Sequence, residues 1–348
     1  MVKKILFISE ALSAPFDEGI KNVALSLHKH LRVKRDVLSV TKTENDTDNL
    51  KVTKIGLNKL FLNEKLRRLI KDYLPDVILY LPEASLTLNS FIRAKVLKLM
   101  NRSSRVGILG VQHREYTPLQ DFILTNFLKP DLLFLLGKSD EDFFLKRGLK
   151  VKVLPPAVDG TKFHPAKTEE KEKIRIEYNI PNNKRVVLHV GHIKRNRNIE
   201  CLSKLQAIND IQIIIVGSTA FSVEEELKQK MMKEGIRVID EYIPDISKIY
   251  KMSDAYVFPV FSSRDAIDIP LSVLEAMACN LPVITTRFGG LVNFFKEDEG
   301  FRYFDNTDEL VELVKNIDVA KVSNTKKIEG FTWDRFIDEI INACEELV

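Results

Sequence analysis

The sequence predicts an α/β protein built from two doubly wound parallel-sheet units in series. Three observations lead there. Short apolar runs alternate with helix-like stretches from end to end. The runs are continuous rather than alternating polar and apolar, the pattern of strands covered by helices on both faces. The series breaks once, over residues 164–185, and then starts again. The 348 residues exceed what one compact core holds, so two domains are the natural division.

In the first unit, residues 5–8 form a strand, followed by a loop containing Gly19 and an amphipathic stretch through Leu31. Residues 37–40, 77–81, 106–109, 132–136 and 151–154 repeat the strand pattern. The stretch 164–185 is rich in Glu and Lys and ends in Ile-Pro-Asn-Asn-Lys-Arg, which marks the boundary between domains 1–163 and 164–330. The second series opens with strand 186–190, closed by Gly191, then a basic loop and a helix from about Ile199. Strand 211–216 with Gly217, helix 223–234 and strands 236–239, 255–260 and 282–285 follow. Two such units place a cleft between them at the carboxyl ends of both sheets, where a ligand should bind.

Composition removes several alternatives. With 45% hydrophobic and 29% charged residues, Gly 14 and Pro 13, the chain is neither collagen-like nor disordered. No apolar run approaches the roughly 20 residues of a membrane-spanning helix. The first apolar run meets Glu10 too soon to be the core of a signal peptide. Cys201, Cys279 and Cys344 are too widely spaced for a metal cluster or a disulfide framework. A soluble, cytoplasmic protein is expected. The net charge of +4 hides an asymmetry, because residues 1–165 carry 28 Lys/Arg against 18 Asp/Glu and the remainder carries 25 against 31. The basic half should meet something anionic. No zinc-finger spacing, RNA-binding aromatic signature or zipper heptad accompanies the charge, so nucleic acid is not the expected partner.

Two segments of the second unit could do chemistry. The loop Gly191-His192-Ile193-Lys194-Arg195-Asn196-Arg197-Asn198 joins a strand-end glycine to four protonatable side chains and a helix start, a combination that attracts phosphate. Read blandly, it is a solvated charged loop. The segment Asp265 to Ala278 contains Pro270, suited to a first helical turn, and Asp268, suited to an N-cap. The amides near Ser272, Val273 and Leu274 would then point into the cleft. Glu275, one turn on, could accept hydrogen bonds from ribose hydroxyls; the bland reading is a capped helix with a solvent-facing Glu. In the first unit His113 follows a strand, and its bland role is a bond to neighbouring backbone. His28, His30, His164 and His189 read as structural or surface residues, and Asp140-Glu141-Asp142 as the solvated face of a helix.

At these segments the chain resembles the retaining GT-B glycosyltransferases of glycosyltransferase family 4, also described as glycosyl transferases group 1. Leu274-Glu275-Ala276-Met277-Ala278, Leu281-Pro282-Val283-Ile284-Thr285 and Phe288-Gly289-Gly290 look like that family's signature helix and the strand after it. Leu154-Pro155-Pro156-Ala157-Val158-Asp159 with Phe163-His164-Pro165 resembles its segment between domains, and Pro15-Phe16-Asp17-Glu18-Gly19 its N-terminal glycine loop. Phe331-Thr332-Trp333 opens a final helix, 331–348, like the one that packs back on the N-terminal domain. The likeness spans essentially the whole chain. It implies the GT-B architecture of two Rossmann-like domains facing across a cleft, the first on the acceptor side and the second holding a nucleotide sugar.

The resemblance also implies roles. Glu275 would contact the donor ribose. His192, Lys194 and Arg197, with Gly19 and the amides of Ser272, Val273 and Leu274, would hold the donor pyrophosphate, histidine standing where the family has arginine. His113 would lie near the anomeric carbon as the catalytic residue. The family's first signature glutamate falls at Ile267, so Asp265 or Asp268 would take over a donor-sugar hydroxyl. Glu18 replaces one of two usual glycines. The implied reaction moves a sugar from a nucleotide-diphosphate sugar to a hydroxyl of a glycan or lipid with retention of configuration, in a closed cleft that excludes water. Fixed amides and cations stabilise the leaving diphosphate, and with no Asp-X-Asp motif at a strand end, neither metal nor cofactor is expected. The alternatives are a GT-B-type nucleotide-sugar epimerase and a degenerate GT-B binding or scaffold protein, the latter favoured by Ile267 and His192.

Residues 84–114 hold six Lys/Arg and no Asp or Glu, interleaved with apolar residues. Such a basic amphipathic helix can lie on an anionic membrane surface, here the inner face. The same pattern also fits a core-facing helix with a solvated basic face.

Overall fold

The structure, a computed structural model, describes residues 1–47, 50–219 and 222–347. The chain divides into two compact units, Met1–Pro156 with Trp333–Val348, and Ala157–Thr332.

In the first unit seven parallel strands form one sheet: β1 (Lys4–Ser9), β2 (Asp36–Lys42), β3 (Thr53–Ile55), β4 (Val77–Leu81), β5 (Arg105–Gly110), β6 (Leu132–Leu135) and β7 (Val151–Val153), in the order β3-β2-β1-β4-β5-β6-β7. The continuous apolar runs are buried throughout β4 and β6, as strands flanked by helices on both faces must be. The chain leaves β1 toward one edge, then crosses over to β4, so the strand order reverses between β1 and β4. The unit closes on helix Trp333–Glu345, whose Trp333, Phe336, Ile337, Ile340 and Ile341 are buried. Its polar side is clamped by Lys34 Nζ to Asp338 (2.6 Å) and by Arg35 to Glu345 (3.3 Å).

The second unit repeats the plan with six parallel strands: β8 (Arg185–Val190), β9 (Ile211–Val216), β10 (Arg237–Ile239), β11 (Ala255–Phe258), β12 (Val283–Thr285) and β13 (Phe301–Tyr303), ordered β10-β9-β8-β11-β12-β13. Here the reversal lies between β8 and β11. The fold is thus the expected pair of doubly wound parallel sheets.

The details differ from expectation in three places. Strands β3 and β13, three residues each, had no apolar run long enough to announce them. The Glu/Lys-rich stretch expected as a boundary is largely a helix, Thr168–Glu177, built into the second unit. Its Arg175 is buried and donates to Asp254 (2.5 Å) and to the Met252 carbonyl (2.9 Å), while Lys171 reaches the same carboxylate (2.6 Å). Residues 157–163 go with the second unit because the Val158 amide donates to the Phe331 carbonyl (3.0 Å) and the Phe163 ring packs edge-on against Tyr250 (5.5 Å). Finally, after Gly191 the chain forms two short 3-10 turns, Arg195–Arg197 and Ile199–Cys201, before helix Leu202–Gln206. Asn198 links the turns in the left-handed region (φ 54°).

Candidate functional site

Open α/β sheets bind ligands outside the carboxyl ends of their strands, where the strand order reverses. In the second unit that place is defined by the segments leaving β8 and β11. The loop after β8 carries Gly191, His192, Lys194 and Arg197; the segment after β11 carries Asp265, Asp268 and helix Leu271–Ala278. Two hydrogen bonds tie them together. Asn196 Nδ2 donates to Asp265 Oδ1 (2.6 Å), and Asn198 Nδ2 to the Pro259 carbonyl (3.2 Å).

Within the loop, Arg197 is buried, 7% exposed, and its NH2 donates to His192 Nδ1 (3.1 Å). A guanidinium only donates, so Nδ1 accepts and the neutral ring carries its proton on Nε2. Burial first, then Arg197, Lys194 and His189, push the His192 pKa down to about 4. His192 is therefore a neutral donor at physiological pH, and the fixed charge of the loop comes from Arg197 and Lys194. Beneath them His189 donates from Nδ1 to the Val257 carbonyl (2.9 Å), which leaves Nε2 an acceptor, buried and without a hydrogen-bond partner among the described residues. A Cβ at position 191 would lie 3.1 Å from that Nε2, so glycine here is a packing requirement as well as a close approach.

The helix after β11 begins at Leu271 with Pro270 at the N-cap, so the helix starts two residues later than an N-cap at Asp268 would place it. Asp268 does not cap it. That residue is buried, and its carbonyl accepts from the Gly290 amide (3.1 Å) under the turn at Gly289, whose φ is +49°. A Cβ on Gly289 would stand 2.5 Å from the Asp268 carbonyl oxygen. Of the three amides expected to point outward, that of Val273 donates to the Pro270 carbonyl (3.1 Å). Val273 and Leu274 are buried and Ser272 is half-buried, its side chain engaging the Tyr256 hydroxyl.

Glu275 does not face solvent freely. It is half-buried, and Tyr250, wholly buried on helix Ser247–Met252, donates its hydroxyl to Oε2 (2.7 Å). Burial raises the carboxyl pKa, against the opposing hydrogen bond from Tyr250 and the charge of Lys162. Oε1 has no partner among the described residues. Tyr250 was not legible as part of the site, since nothing in a Ser-Lys-Ile-Tyr helix announces a partner 25 residues on.

In the first unit, Gly19 begins helix Gly19–Lys34 instead of lying in the loop before it; Glu18 occupies the N-cap, and its side chain does not cap the helix. His113 follows β5 and is half-buried, its Nδ1 2.5 Å from Asp140 Oδ1. Asp140 is therefore not on a solvated face, a correction to the expectation for 140–142. The cations of 84–114 are mostly committed inside the unit. Arg93 binds Glu10 (2.5 Å), a residue with no motif around it that sits just past β1 beside Tyr80. Lys98 binds Asp131 (2.9 Å), Arg105 lies 4.0 Å from the same carboxylate, and Arg114 donates to the Ala84 carbonyl (3.1 Å). Lys95 and Arg102 are exposed. Among the described residues no helix is long and apolar enough to cross a membrane.

Comparison with known proteins bears on the fold and on the second unit. Residues 170–325, nearly all of the second unit, match the family described as Glycosyl transferases group 1. The chain is 26% identical over 243 residues to spore coat protein SA of Bacillus subtilis, covering 61% of this chain and 63% of that protein. It is 29% identical over 153 residues to a D-inositol 3-phosphate glycosyltransferase of Arthrobacter, covering 40% and 35%. The matched stretches thus span under two thirds of these relatives. Among solved structures, HepE of Anabaena, determined in complex with UDP and glucose, superposes with a TM-score of 0.75 at 16% identity over 98% of this chain and all of that one (100%). The two-sheet fold is that of the GT-B glycosyltransferases, and the similarity to glycosyl transferases group 1 lies within the second unit.

Proposed function

We propose that the protein is a glycosyltransferase that moves a sugar from a nucleotide-diphosphate sugar to a hydroxyl of a glycan or lipid. One observation carries the reading: at the strand-order reversal of the second unit, a buried arginine and a neutral imidazole donor stand on the β8 loop, tied by Asn196–Asp265 to the segment that leads into Glu275. Cleaving the bond from sugar to phosphate develops negative charge on the leaving diphosphate. Arg197 and Lys194 would meet it at fixed positions, so no reorganisation is needed as the charge appears. The open Oε1 of Glu275 suits a ribose hydroxyl, and Asp265, held by Asn196, is the better placed of the two aspartates for a donor-sugar hydroxyl because Asp268 is buried under the Gly289 turn.

Two finer features belong to the same reading. Retention of anomeric configuration follows from the resemblance of the Glu275 helix, and would appear as an unchanged anomer in the NMR spectrum of the product. Independence of a divalent metal follows from the loop cations; transfer unchanged by a chelator supports it, and loss restored by magnesium or manganese refutes it. The anionic membrane surface proposed for 84–114 would rest on Lys95 and Arg102, and absence of flotation with anionic liposomes at low salt ends it.

The deciding experiment is a thermal-shift screen against a nucleotide-sugar panel, since a ligand raises apparent stability by mass action. Product analysis then separates transfer, which needs an acceptor, from epimerisation. No nucleotide binding at millimolar UDP or GDP would refute the enzyme and leave the scaffold reading, for which Ile267 is the specific observation.

A further inference from the structure

We propose that Asp140 is a positioning residue that fixes the His113 ring with its proton on Nδ1, so that Nε2 is held as an acceptor for a substrate hydroxyl. This deepens the reading above and rests on it for the identity of the hydroxyl. The sequence gives no hint of the pair: the two residues lie 27 positions apart. They meet because β5 and β6 are parallel neighbours, and each residue follows the carboxyl end of its strand.

Three facts carry the assignment. The contact is short, Nδ1 to Oδ1 at 2.5 Å, with side-chain exposures of only 28% for His113 and 14% for Asp140. Asp140 also sits at the N-cap of helix Glu141–Leu145, yet its side chain makes no capping bond. Aspartate at that position ordinarily accepts from the first free amides of the helix. Here the carboxylate is turned to the imidazole instead, forgoing a local bond for a long-range one. An ionised carboxylate only accepts, so Nδ1 must donate, and the neutral ring then has its lone pair on Nε2. A base oriented by a third group is the recurrent arrangement by which proteins aim an imidazole.

His113 and His192 are therefore set in opposite senses. Arg197 donates to His192 and leaves its Nε2 a donor; Asp140 accepts from His113 and leaves its Nε2 an acceptor. The first suits a phosphate oxygen. The second suits a hydroxyl of the sugar or of the acceptor.

The test uses the full chain with 15N-labelled histidine and reads ring protonation by long-range 1H–15N correlation at neutral pH, the His113 signals being assigned with His113→Gln. The expected wild-type spectrum shows the unprotonated nitrogen of His113 at Nε2. Asp140→Ala should move the majority of the ring to the form protonated at Nε2, and Asp140→Glu should restore the original form; Glu141→Ala, next door on the helix, should change nothing. A wild-type ring protonated at Nε2, or a spectrum untouched by Asp140→Ala in a variant with wild-type circular dichroism, overturns the proposal. Calorimetry with UDP and UDP-glucose on the same samples tests the substrate part. If Asp140→Ala removes the extra affinity for the sugar-bearing ligand and leaves UDP binding intact, the hydroxyl contact is supported; equal losses refute it. Failure of every nucleotide to bind, with the ring form as expected, would retain the Asp140 assignment and remove the glycosyltransferase reading.

Discussion

Replacing Arg197 by alanine isolates the charge proposed to hold the donor diphosphate. The guanidinium is only 7% exposed, so solvent screens it little. A hydrogen bond from a charged group contributes about 1.5–3 kcal/mol, and about 1.4 kcal/mol is tenfold in affinity, so UDP or GDP should bind about 10- to 150-fold more weakly to the variant. Uridine or guanosine, which lacks the diphosphate, should bind as before. The pH dependence gives a second, independent readout. In the wild type the His192 ring, with a pKa near 4, stays neutral from about pH 8 down to about pH 5.5. Arg197 is the second cause of that depression after burial, so its removal lets the ring pKa rise. The imidazolium formed toward acid then replaces part of the lost charge, and the ratio of wild-type to variant affinity should shrink as pH falls. Using the ratio cancels the ligand's own protonation. Isothermal titration calorimetry at several pH values measures both effects. An equal loss for nucleoside and nucleoside diphosphate, or a ratio flat across pH, would refute the assignment of Arg197 and His192.

Glu275→Gln should weaken uridine or guanosine binding about tenfold and raise the melting temperature, because the half-buried carboxyl whose pKa burial raises no longer has to ionise; unchanged nucleoside affinity counts against the ribose role. Gly289→Ala places a Cβ 2.5 Å from the Asp268 carbonyl oxygen at φ +49°, and should lower stability by about 1–3 kcal/mol in a denaturant titration. Arg93→Met leaves Glu10 buried without its counter-charge and should cost about 3–5 kcal/mol at neutral pH. The sign with pH is set by Glu10, whose folded pKa burial already raises above its ordinary value: ionising it costs folded stability as pH rises, more so without Arg93, so the gap between variant and wild-type melting temperatures should close in acid. A constant gap would assign the loss to packing alone.

The sheets were legible because their central strands are uninterrupted apolar runs, and such runs have no other stable place than a sheet covered on both faces. The edge strands were not. β3 and β13 are three residues long, pair on one side only, and include Lys54 and Arg302, so neither length nor pattern separates them from loop. Local chemistry was misplaced by one turn at most, as where Pro270 caps a helix it was expected to enter. What the sequence could not carry is which atom faces which. Histidine at 192 reads as a conditional cation, yet Arg197 and Lys194 beside it, with burial, keep it neutral. Tyr250 on Glu275 and Asp140 on His113 are contacts made by the fold between residues with no motif in common.

The electrostatics of the β8 loop argue for a ligand more strongly than any motif does. Clusters of charge also occur in purely structural networks, and this chain has one: Arg175 and Lys171 face Asp254, whose carboxylate also accepts from the Val186 amide (2.7 Å). Opposite charges there satisfy each other and fasten a helix to a strand. The loop after β8 has another character. The charges of Arg197 and Lys194 push the His192 ring the same way as burial does, toward the uncharged form. That is the mark of concentrated positive potential, which folding alone has no reason to assemble around a strand-end glycine. An anion bound there would reverse the sign of the effect and draw the ring pKa upward. By linkage, diphosphate binding in acid must then be accompanied by proton uptake at His192, so the ligand and the proton each strengthen the binding of the other.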